Sequence, residues 1–402
     1  MTEQIEVELT GMVYGGYAIG RADGRTLFVT GGLPGERVSA RITRDQVRYA
    51  FAVVEQVIVP SPQRITPRCV HFRAKACGGC QWQHLDYEAQ LAYKTEIVGE
   101  QFRRIGKFTN APILPILASP DPWFYRTHVT FQVEPVSGRL GFVAPDDRTL
   151  IPIDECHILR PELMEMRQAL DSGAGIRQPG HRRLRCMVGS DGSERVSVSF
   201  RPDEADEDAS ANMPGGSVTF AIKDQTFRVG AGSFFQVNLL QAEHLVDLVL
   251  EHLRLSGHER VLDLYSGVGL FTAFLAKRAA QVSAIESSPG AVADARVNLA
   301  RFPKVEVREG LVEVVLPRFS GRFDSAVIDP PRAGMQRKAL EALVAKRPRR
   351  IAYVSCDPTT LARDARRLVD AGYTLAHVRP LDMFPQTYHI ECVAGFERRA
   401  AA

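Results

Sequence analysis

The strongest constraint on the fold is an alternation of strand-like and helix-like segments that begins near residue 230 and continues to the end of the sequence. Apolar runs such as RVLDLYS, QVSAIES, SAVIDP and RIAYVSC are separated by helical patterns such as PGAVADARVNLARF and TLARDARRLVDAG. This alternation predicts an α/β domain with a mostly parallel, doubly wound, Rossmann-like sheet. Ligands of such sheets bind at the carboxyl ends of the strands, so polar residues that follow a strand are the first functional candidates.

Two further regions precede this domain, as expected for a chain of 402 residues, which is too long for one core. Residues 1–60 contain short alternating segments broken by glycines, and this pattern predicts a small OB-like antiparallel β-barrel. Residues 68–228 mix strand-like pieces with one helical pattern that Asp86 is placed to cap, and they predict a central α+β domain. The third domain is expected at 229–400, and the acidic segment 202–216 is expected to be an exposed loop.

The composition is typical of a soluble globular protein, with 45% hydrophobic and 24% charged residues. No apolar run approaches the roughly 20 residues that span a bilayer. The start, MTEQIEVELT, lacks the charged and apolar regions of a signal peptide. We therefore expect a cytoplasmic monomer with no membrane partner. An odd count of seven cysteines in a reducing compartment argues against a disulfide framework.

Basic residues are clustered, although the formal net charge is only +3. The clusters lie at 101–107, 181–186 and 346–350. Local positive patches of this kind bind phosphate without a large net charge. The solvated surfaces of ordinary helices and strands explain any single cluster equally well.

The first strand of the α/β domain leads into a glycine turn, LDLYSGVGLF at 262–271. Gly267 and Gly269 allow a ligand to approach the backbone at the start of a helix. Glu286 ends the next strand, where an acid can accept hydrogen bonds from ribose hydroxyls. Asp263 favours a positively charged ligand and the third glycine of the dinucleotide fingerprint is absent, so S-adenosylmethionine is favoured over NAD. A turn that serves only packing is the remaining alternative.

Three residues near other strand ends point to covalent chemistry. Asp329 precedes two prolines in VIDPPRAGM, which makes it a rigid hydrogen-bond acceptor for the amide-like edge of a planar base. Carbon 5 of a pyrimidine attacks a methyl sulfonium only after a thiolate has added at carbon 6, and a base must then remove the carbon 5 proton. Taken alone, Cys356 at the end of RIAYVSC is more often a small buried hydrophobe. Beside Asp329, and with Glu391 interrupting the apolar last strand, Cys356 is the candidate nucleophile and Glu391 the candidate base.

A group of cysteines lies in the central region, with Cys69, Cys77 and Cys80 close together and Cys156 far downstream. Four thiolates hold either tetrahedral zinc or a [4Fe-4S] cluster. Zinc sites usually come as two close pairs, so three local ligands with one distant ligand favour the cluster. A structural role is favoured for it, and a redox role stays open.

These features together resemble the RNA (uracil-5-)methyltransferase family, which includes the bacterial 23S rRNA 5-methyluridine enzymes. The resemblance covers almost the whole chain and rests on the barrel, the cysteine group and the motifs FFQVN, DLYSGVG, DPPRAG, SCDP and HIE. It implies a TRAM-type RNA-binding barrel, a [4Fe-4S] cluster on the four cysteines, S-adenosylmethionine as methyl donor and RNA as substrate. It also implies a role for six positions: Gln236, Tyr265, Glu286 and Asp329 line the donor and uracil pocket, Cys356 is the nucleophile and Glu391 is the base.

The chain departs from the family pattern at three places. Ser266 and Leu270 stand where the family often has cysteine and asparagine, and GLV at 310–312 replaces an acidic pattern like Gly-Asp-Ala. We therefore expect no donor contacts from the side chains of Leu270 and Leu311. SCDP replaces the commoner SCNP, a change that we expect to be tolerated.

Three other classes of function compete with this interpretation. A non-catalytic RNA-binding protein with a vestigial methyltransferase fold is disfavoured because Cys356, Glu391 and the donor-site glycines are present. An amino-methyltransferase leaves Cys356 without a purpose, and a zinc-containing oxidoreductase lacks a complete dinucleotide fingerprint. Within the resembled family, the barrel and the cysteine group favour 23S rRNA as the substrate, and tRNA is the alternative.

Overall fold

A computed structural model describes residues 4–73, 77–134, 138–144, 149–172, 183–192, 194–198, 216–230 and 232–399. The acidic segment 202–216, expected to be a loop, lies outside the described residues except for its last residue. None of the helices in these ranges is long and apolar enough to cross a membrane.

The N-terminal strands form a closed five-stranded barrel, as the glycine-broken alternation predicts. Its strands are β1 (Gln4–Val13), β2 (Tyr17–Ala22), β3 (Arg25–Thr30), β4 (Arg37–Asp45) and β5 (Tyr49–Val59). They are hydrogen-bonded in the order β1-β2-β3-β5-β4 around the closure. The expectation of a purely antiparallel barrel is wrong at one point, because β3 and β5 are parallel and thereby close an odd-numbered ring. Alternate residues such as Val7, Leu27 and Val38 fill the interior.

The central part combines helices with a five-stranded antiparallel sheet. Its helices are α1 (Val70–Arg73), α2 (Tyr87–Arg104) and α3 (Pro161–Ser172). Its strands are β6 (His128–Val133), β7 (Leu140–Val143), β8 (Leu150–Pro152), β9 (Arg183–Val188) and β10 (Glu194–Val198), in the order β10-β9-β6-β7-β8. Asp86 caps α2, since its carboxylate accepts the Ala89 amide at 2.9 Å. That predicted cap is confirmed.

The remainder of the chain is a hairpin followed by a seven-stranded sheet with helices between its strands. The hairpin is β11 (Ser217–Ile222) and β12 (Gln225–Gly230). The sheet strands are β13 (Arg260–Leu264), β14 (Gln281–Glu286), β15 (Val305–Glu309), β16 (Ser325–Ile328), β17 (Arg350–Ser355), β18 (Tyr373–Leu381) and β19 (Glu391–Arg398). The helices are α4 (Leu239–Leu253), α5 (Leu270–Leu275), α6 (Pro289–Leu299), α7 (Val312–Val315), α8 (Arg337–Lys346) and α9 (Pro358–Asp370).

The order of the large sheet is β15-β14-β13-β16-β17-β19-β18, and β19 is antiparallel to both of its neighbours. The predicted doubly wound sheet is therefore present, with one reversed strand near its edge. The reversal matters for the site because it brings the first residue of β19 to the edge where the parallel strands end.

Apolar cores on both faces hold this sheet in place. On one face α8 and α9 pack together with α2 from the central part, for example through Phe102, Leu340 and Leu361. On the other face α4, α5 and α6 pack with the β11–β12 hairpin, for example through Phe220 and Phe274. Each fully buried side chain of this kind contributes about 1.5–3 kcal/mol, so the sheet is a rigid platform for residues at its edge. The division into domains at 1–60, 68–228 and 229–400 stays a prediction.

Candidate active site

Three of the predicted side chains meet at one edge of the sheet. Asp329 follows β16 and Cys356 follows β17, and these two strands are parallel neighbours. Glu391 begins β19, which runs antiparallel to β17 with Ser355 opposite Cys392. Continuing this register by one residue places Glu391 opposite Cys356. The reversed direction of β19 therefore places the Glu391 carboxyl group near the Cys356 thiol.

Burial and mutual repulsion control the protonation of this group. Glu391 is only 4% exposed, and burial together with the nearby Asp329 carboxylate raises its pKa well above the usual range. Burial likewise raises the pKa of Asp329, with further increases from Asp263 and Glu286. The Cys356 thiol has its pKa raised to about 12, first by burial and then by Glu391. Burial that raises the pKa of carboxyl groups towards neutrality suits them for proton transfer near neutral pH.

Arg332 supplies a positive charge to the same pocket. Its guanidinium lies beside the Cys356 thiol and lowers the pKa of that thiol, and it also lowers the pKa of Glu391. Its backbone carbonyl accepts the Thr360 hydroxyl at 3.0 Å, which fixes the loop after β16 against the start of α9. The sequence motif DPPRAG predicts a role for Asp329 but none for Arg332. The feature that could have indicated Arg332 is a cation three residues after Asp329, on a rigid Pro-Pro turn.

The glycine turn after β13 is shaped by left-handed backbone at three positions. Tyr265 has φ of +63°, Gly267 of +54° and Gly269 of +92°. Gly269 is constrained twice, since a Cβ there would come within 2.8 Å of Leu299 Cδ1. A tyrosine in this conformation carries strain of about 1–3 kcal/mol, which is usual where backbone approaches a ligand.

Glu286 organises the open side of this turn. Its Oε2 accepts the Gly267 amide at 2.9 Å, and its Oε1 accepts the amides of Ser287 and Ser288, each at 2.7 Å. The carboxylate therefore bridges the ends of β13 and β14, where the sequence predicted an acid for ribose hydroxyls.

Two polar atoms in the turn have free hydrogen-bonding capacity in a buried setting. Asp263 Oδ1 and Ser266 Oγ are buried and find no hydrogen-bond partner within the part of the chain that the structure describes. Asp263 Oδ2 accepts the Thr272 hydroxyl, and burial raises the pKa of Asp263 to about 7. Unsatisfied buried polar atoms cost free energy unless a ligand completes them. The turn therefore fits a nucleoside-bearing donor such as S-adenosylmethionine.

The remaining positions considered for contact with the methyl donor are Gln236, Leu270 and Leu311. Gln236 is buried in the segment that leads into α4, and no hydrogen bond to Cys356 or Glu391 is found for it among the described residues. Leu270, the first residue of α5, is buried in the core, and Leu311 is 54% exposed at the surface. Neither leucine side chain offers a polar contact to a donor, in keeping with the departures from the family pattern.

The four cysteines of the central part lie within electrostatic reach of one another. Burial raises the pKa of Cys80 above its usual range, and Cys156, Cys77 and Cys69 raise it further. Cys156 has its pKa raised to about 11 by burial, with added repulsion from Cys77 and Cys69. The described residues nevertheless contain no group of three or more His, Cys, Asp or Glu side chains arranged to hold one metal ion. The arrangement of these thiols therefore supports neither the predicted [4Fe-4S] cluster nor the zinc alternative.

Models of three protein families match parts of this sequence. The tRNA (uracil-5-)-methyltransferase model matches residues 304–399, which contain Asp329, Cys356 and Glu391. The TRAM domain model matches residues 2–54, and the ribosomal RNA adenine dimethylase model matches residues 231–310. An RNA methyltransferase of Streptomyces avermitilis is 35% identical over 100% of this chain and 99% of its own length. The chain belongs to the RNA (uracil-5-)methyltransferase family.

Two other proteins resemble the chain over nearly its whole length. An RNA methyltransferase of Halalkalibacterium halodurans is 34% identical over 98% of this chain and 96% of its own. The solved tRNA (uracil-54, C5)-methyltransferase of Pyrococcus abyssi, in complex with S-adenosyl-L-homocysteine, is 26% identical with a TM-score of 0.73. That alignment covers 97% of this chain and 99% of the Pyrococcus chain. The N-terminal TRAM barrel and the methyltransferase fold are thus features that the chain shares with its relatives.

Proposed function

We propose that this protein methylates carbon 5 of a uracil in RNA with S-adenosylmethionine as the methyl donor. The observation that carries the proposal is the convergence of Cys356, Glu391 and Asp329 at the carboxyl edge of the sheet, next to the glycine turn. A nucleophile, a base and a hydrogen-bond acceptor are the groups that this reaction requires.

In the proposed mechanism the Cys356 thiolate adds to carbon 6 of the uracil, and the electron pair moves to form an enolate. Carbon 5 then forms its new bond to the electrophilic methyl group that S-adenosylmethionine would supply, and the methyl–sulfur bond would break to leave S-adenosylhomocysteine. The Glu391 carboxylate then accepts the carbon 5 proton, and the Cys356–C6 bond breaks to return the thiolate. Asp329 would hold the uracil edge, with the two following prolines keeping its carboxylate fixed.

The charges around Cys356 explain how the thiolate could form in a pocket that otherwise disfavours it. Glu391 and Asp329 oppose thiolate formation, and Arg332 favours it. A protonated Glu391 in the free protein lessens the repulsion on the thiolate, and Glu391 must release that proton before its carboxylate can accept the proton from carbon 5. Neighbouring titratable groups with shifted pKa values commonly take the separate roles of nucleophile, acid or base in an active site.

Binding of the methyl donor is assigned to the β13–β14 end of the sheet. Glu286 would accept the ribose hydroxyls, and Asp263, Tyr265, Gly267 and Gly269 would shape the rest of the site. The unsatisfied Asp263 Oδ1 supports this assignment. Gln236, which the family pattern also places here, is proposed as a contact from the segment before α4.

A covalent-trapping experiment tests the proposed chemistry. RNA that contains 5-fluorouridine cannot lose a proton from carbon 5, so the methylated protein–RNA adduct should accumulate in the presence of S-adenosylmethionine. We expect the adduct with the wild type and with Glu391→Gln, and none with Cys356→Ala. An adduct that survives Cys356→Ala would contradict the mechanism, and methylation of an amine instead would favour an amino-methyltransferase.

For the RNA itself, 23S rRNA is the proposed substrate. The resemblance of the barrel and the cysteine group to the rRNA branch of the family supports this proposal. The Pyrococcus tRNA enzyme, which aligns over 97% of this chain, makes tRNA the second candidate. A base in either RNA must leave its stack to reach Cys356, which favours a single-stranded loop.

We also propose that Cys69, Cys77, Cys80 and Cys156 hold a [4Fe-4S] cluster. The other cysteines raise the pKa of Cys80 and Cys156 by repulsion, so the four thiols lie near one another, and this supports the proposal. Protein purified without oxygen should be brown and contain about four irons and four sulfides per chain. Cys80→Ser should lose both, whereas Cys186→Ser, at a buried cysteine of the β9 core, should keep them. A colourless wild type with no iron would contradict the proposal.

A further inference from the structure

The turn between β1 and β2 of the barrel reaches the catalytic edge of the sheet. The Tyr14 hydroxyl donates to Asp357 Oδ2 at 3.1 Å. The Tyr14 ring meets the Tyr388 ring edge-on, with centroids 5.9 Å apart and planes at 88°. Gly16 lies against the same ring, since a Cβ there would come within 3.0 Å of Tyr388 Cδ1. A residue of the barrel therefore touches the residue that follows the nucleophile.

Asp357 connects this turn to Cys356. Its Oδ1 accepts the amides of Thr359 at 2.8 Å and Thr360 at 3.0 Å, which caps the N-terminus of α9. Its own amide donates to Ser355 Oγ at 3.2 Å, so both neighbours of Cys356 are tied to each other. The other carboxylate oxygen, Oδ2, accepts the hydrogen bond from the Tyr14 hydroxyl. Loss of that donor would leave a charged oxygen without its partner next to the nucleophile.

We propose that Tyr14 is a positioning residue for the methyl transfer, acting through Asp357 on the loop that presents Cys356. This inference rests on the proposed function and gives the barrel a part in the chemistry in addition to RNA contact. The aspartate in SCDP suits the role, because one oxygen caps α9 while the other accepts the tyrosine hydroxyl. The asparagine that is commoner at this position would turn an NH₂ group towards Tyr14 instead.

The test compares the full-length wild type with Tyr14→Phe, Asp357→Asn and the double variant. Single-turnover methyl transfer is measured with saturating S-adenosylmethionine and RNA, and RNA affinity is measured separately by filter binding. Tyr14→Phe should slow the single turnover roughly tenfold, the size expected for one lost hydrogen bond to a charged group, and change RNA affinity less than about twofold. Asp357→Asn should restore part of the rate in the Tyr14→Phe background, because it removes the uncompensated charge but keeps the helix cap.

A matched control is Tyr93→Phe. The Tyr93 hydroxyl donates to Gln63 Oε1 over 2.8 Å, and this hydrogen bond does not involve the residues at the catalytic edge. We expect it to react at the wild-type rate. The inference is overturned if Tyr14→Phe reacts at the wild-type rate, if its loss lies only in RNA affinity, or if the losses of the two substitutions simply multiply. A wild type that does not methylate uridine overturns the proposed function and this inference together, whereas an active wild type with an unimpaired Tyr14→Phe overturns this inference alone.

Discussion

Arg332 sets the balance of charge around the reacting side chains. It lowers the pKa of both Cys356 and Glu391, while Asp329 raises both. The thiolate must form before it can add to the base, and the Glu391 carboxylate must be free to take a proton afterwards. Removing the guanidinium therefore hinders both steps in the same direction.

Arg332→Ala is accordingly expected to shift the rising limb of the pH profile for adduct formation to higher pH. Loss of one opposite charge near an ionising group is worth roughly one pKa unit, which is about a tenfold slower adduct at neutral pH. The rate should recover as the pH rises. The measurement is the rate of adduct formation with 5-fluorouridine RNA across pH. Arg337→Ala, at an exposed arginine paired with Glu341 on α8, is the control. A uniform loss at every pH would assign Arg332 to RNA contact instead.

Asp263 makes a prediction about stability. Its folded-state pKa is raised to about 7, chiefly by burial, from an ordinary value of 3.8. Between those two pH values the folded protein keeps a proton that the unfolded chain has lost, so the contribution of Asp263 to stability falls as the pH rises through this window. Asp263→Asn should therefore raise the melting temperature by a few degrees at pH 8 and leave it nearly unchanged at pH 4, while weakening donor binding.

Melting curves of the donor-free protein at the two pH values check this expectation. Asp247→Asn is the control, because that carboxylate is exposed on α4 and pairs with Lys223. If Asp263→Asn instead lowers the melting temperature equally at both pH values, the ionised carboxylate stabilises the fold, and the expectation is wrong.

The strands and helices of the catalytic domain show how far sequence patterns reach. The runs ending in Asp329 and Cys356 are predicted from apolar periodicity, and parallel strands then bring the two residues to one edge. β19, which begins with Glu391, pairs with β17, the strand that leads to Cys356. Its reversed direction was not predicted, because an apolar run reads the same whichever way the strand is aligned in the sheet.

The outer face of the barrel carries a group of aromatic rings on β2, β3 and β5. Phe28 and Phe51 stack at 5.3 Å, Tyr17 and Tyr49 meet them edge-on, and Arg44 lies 5.5 Å from the Phe51 ring. Stacked rings beside a cation are the usual platform for unpaired bases. These positions alternate with the buried residues of the same strands, so the barrel presents one face to its core and this one outward.

Tyr49→Ala on this face should weaken RNA binding about tenfold, since one base–aromatic stack is worth about 1–3 kcal/mol. Filter binding at fixed salt measures the effect. Val47→Ala is the control, because Val47 is also apolar and almost fully exposed, in the neighbouring turn, yet offers no ring. Equal affinities for the two variants would place the RNA on another surface.

Contacts between distant parts of the chain are what the sequence could not predict. Tyr14 and Asp357 are 343 positions apart, and nothing in the local pattern of either marks the other. Trp82 is likewise fully buried in a core that it shares with residues of α2 and α9, which are distant in sequence. Such docking depends on the shapes of folded surfaces, whereas periodicity reports only which face of a segment is apolar.

The full-length match to the Pyrococcus tRNA enzyme means that the TRAM barrel does not by itself decide between rRNA and tRNA. The deciding measurement is mass mapping of 5-methyluridine in 23S rRNA and in tRNA from a deletion strain. We expect one or two uridines of 23S rRNA to lose the methyl group, and tRNA to keep it. The wild-type gene should restore the modification and Cys356→Ala should not, because the thiol is needed for the chemistry but not for the fold. Loss confined to tRNA would reverse the assignment of the substrate and leave the proposed mechanism intact.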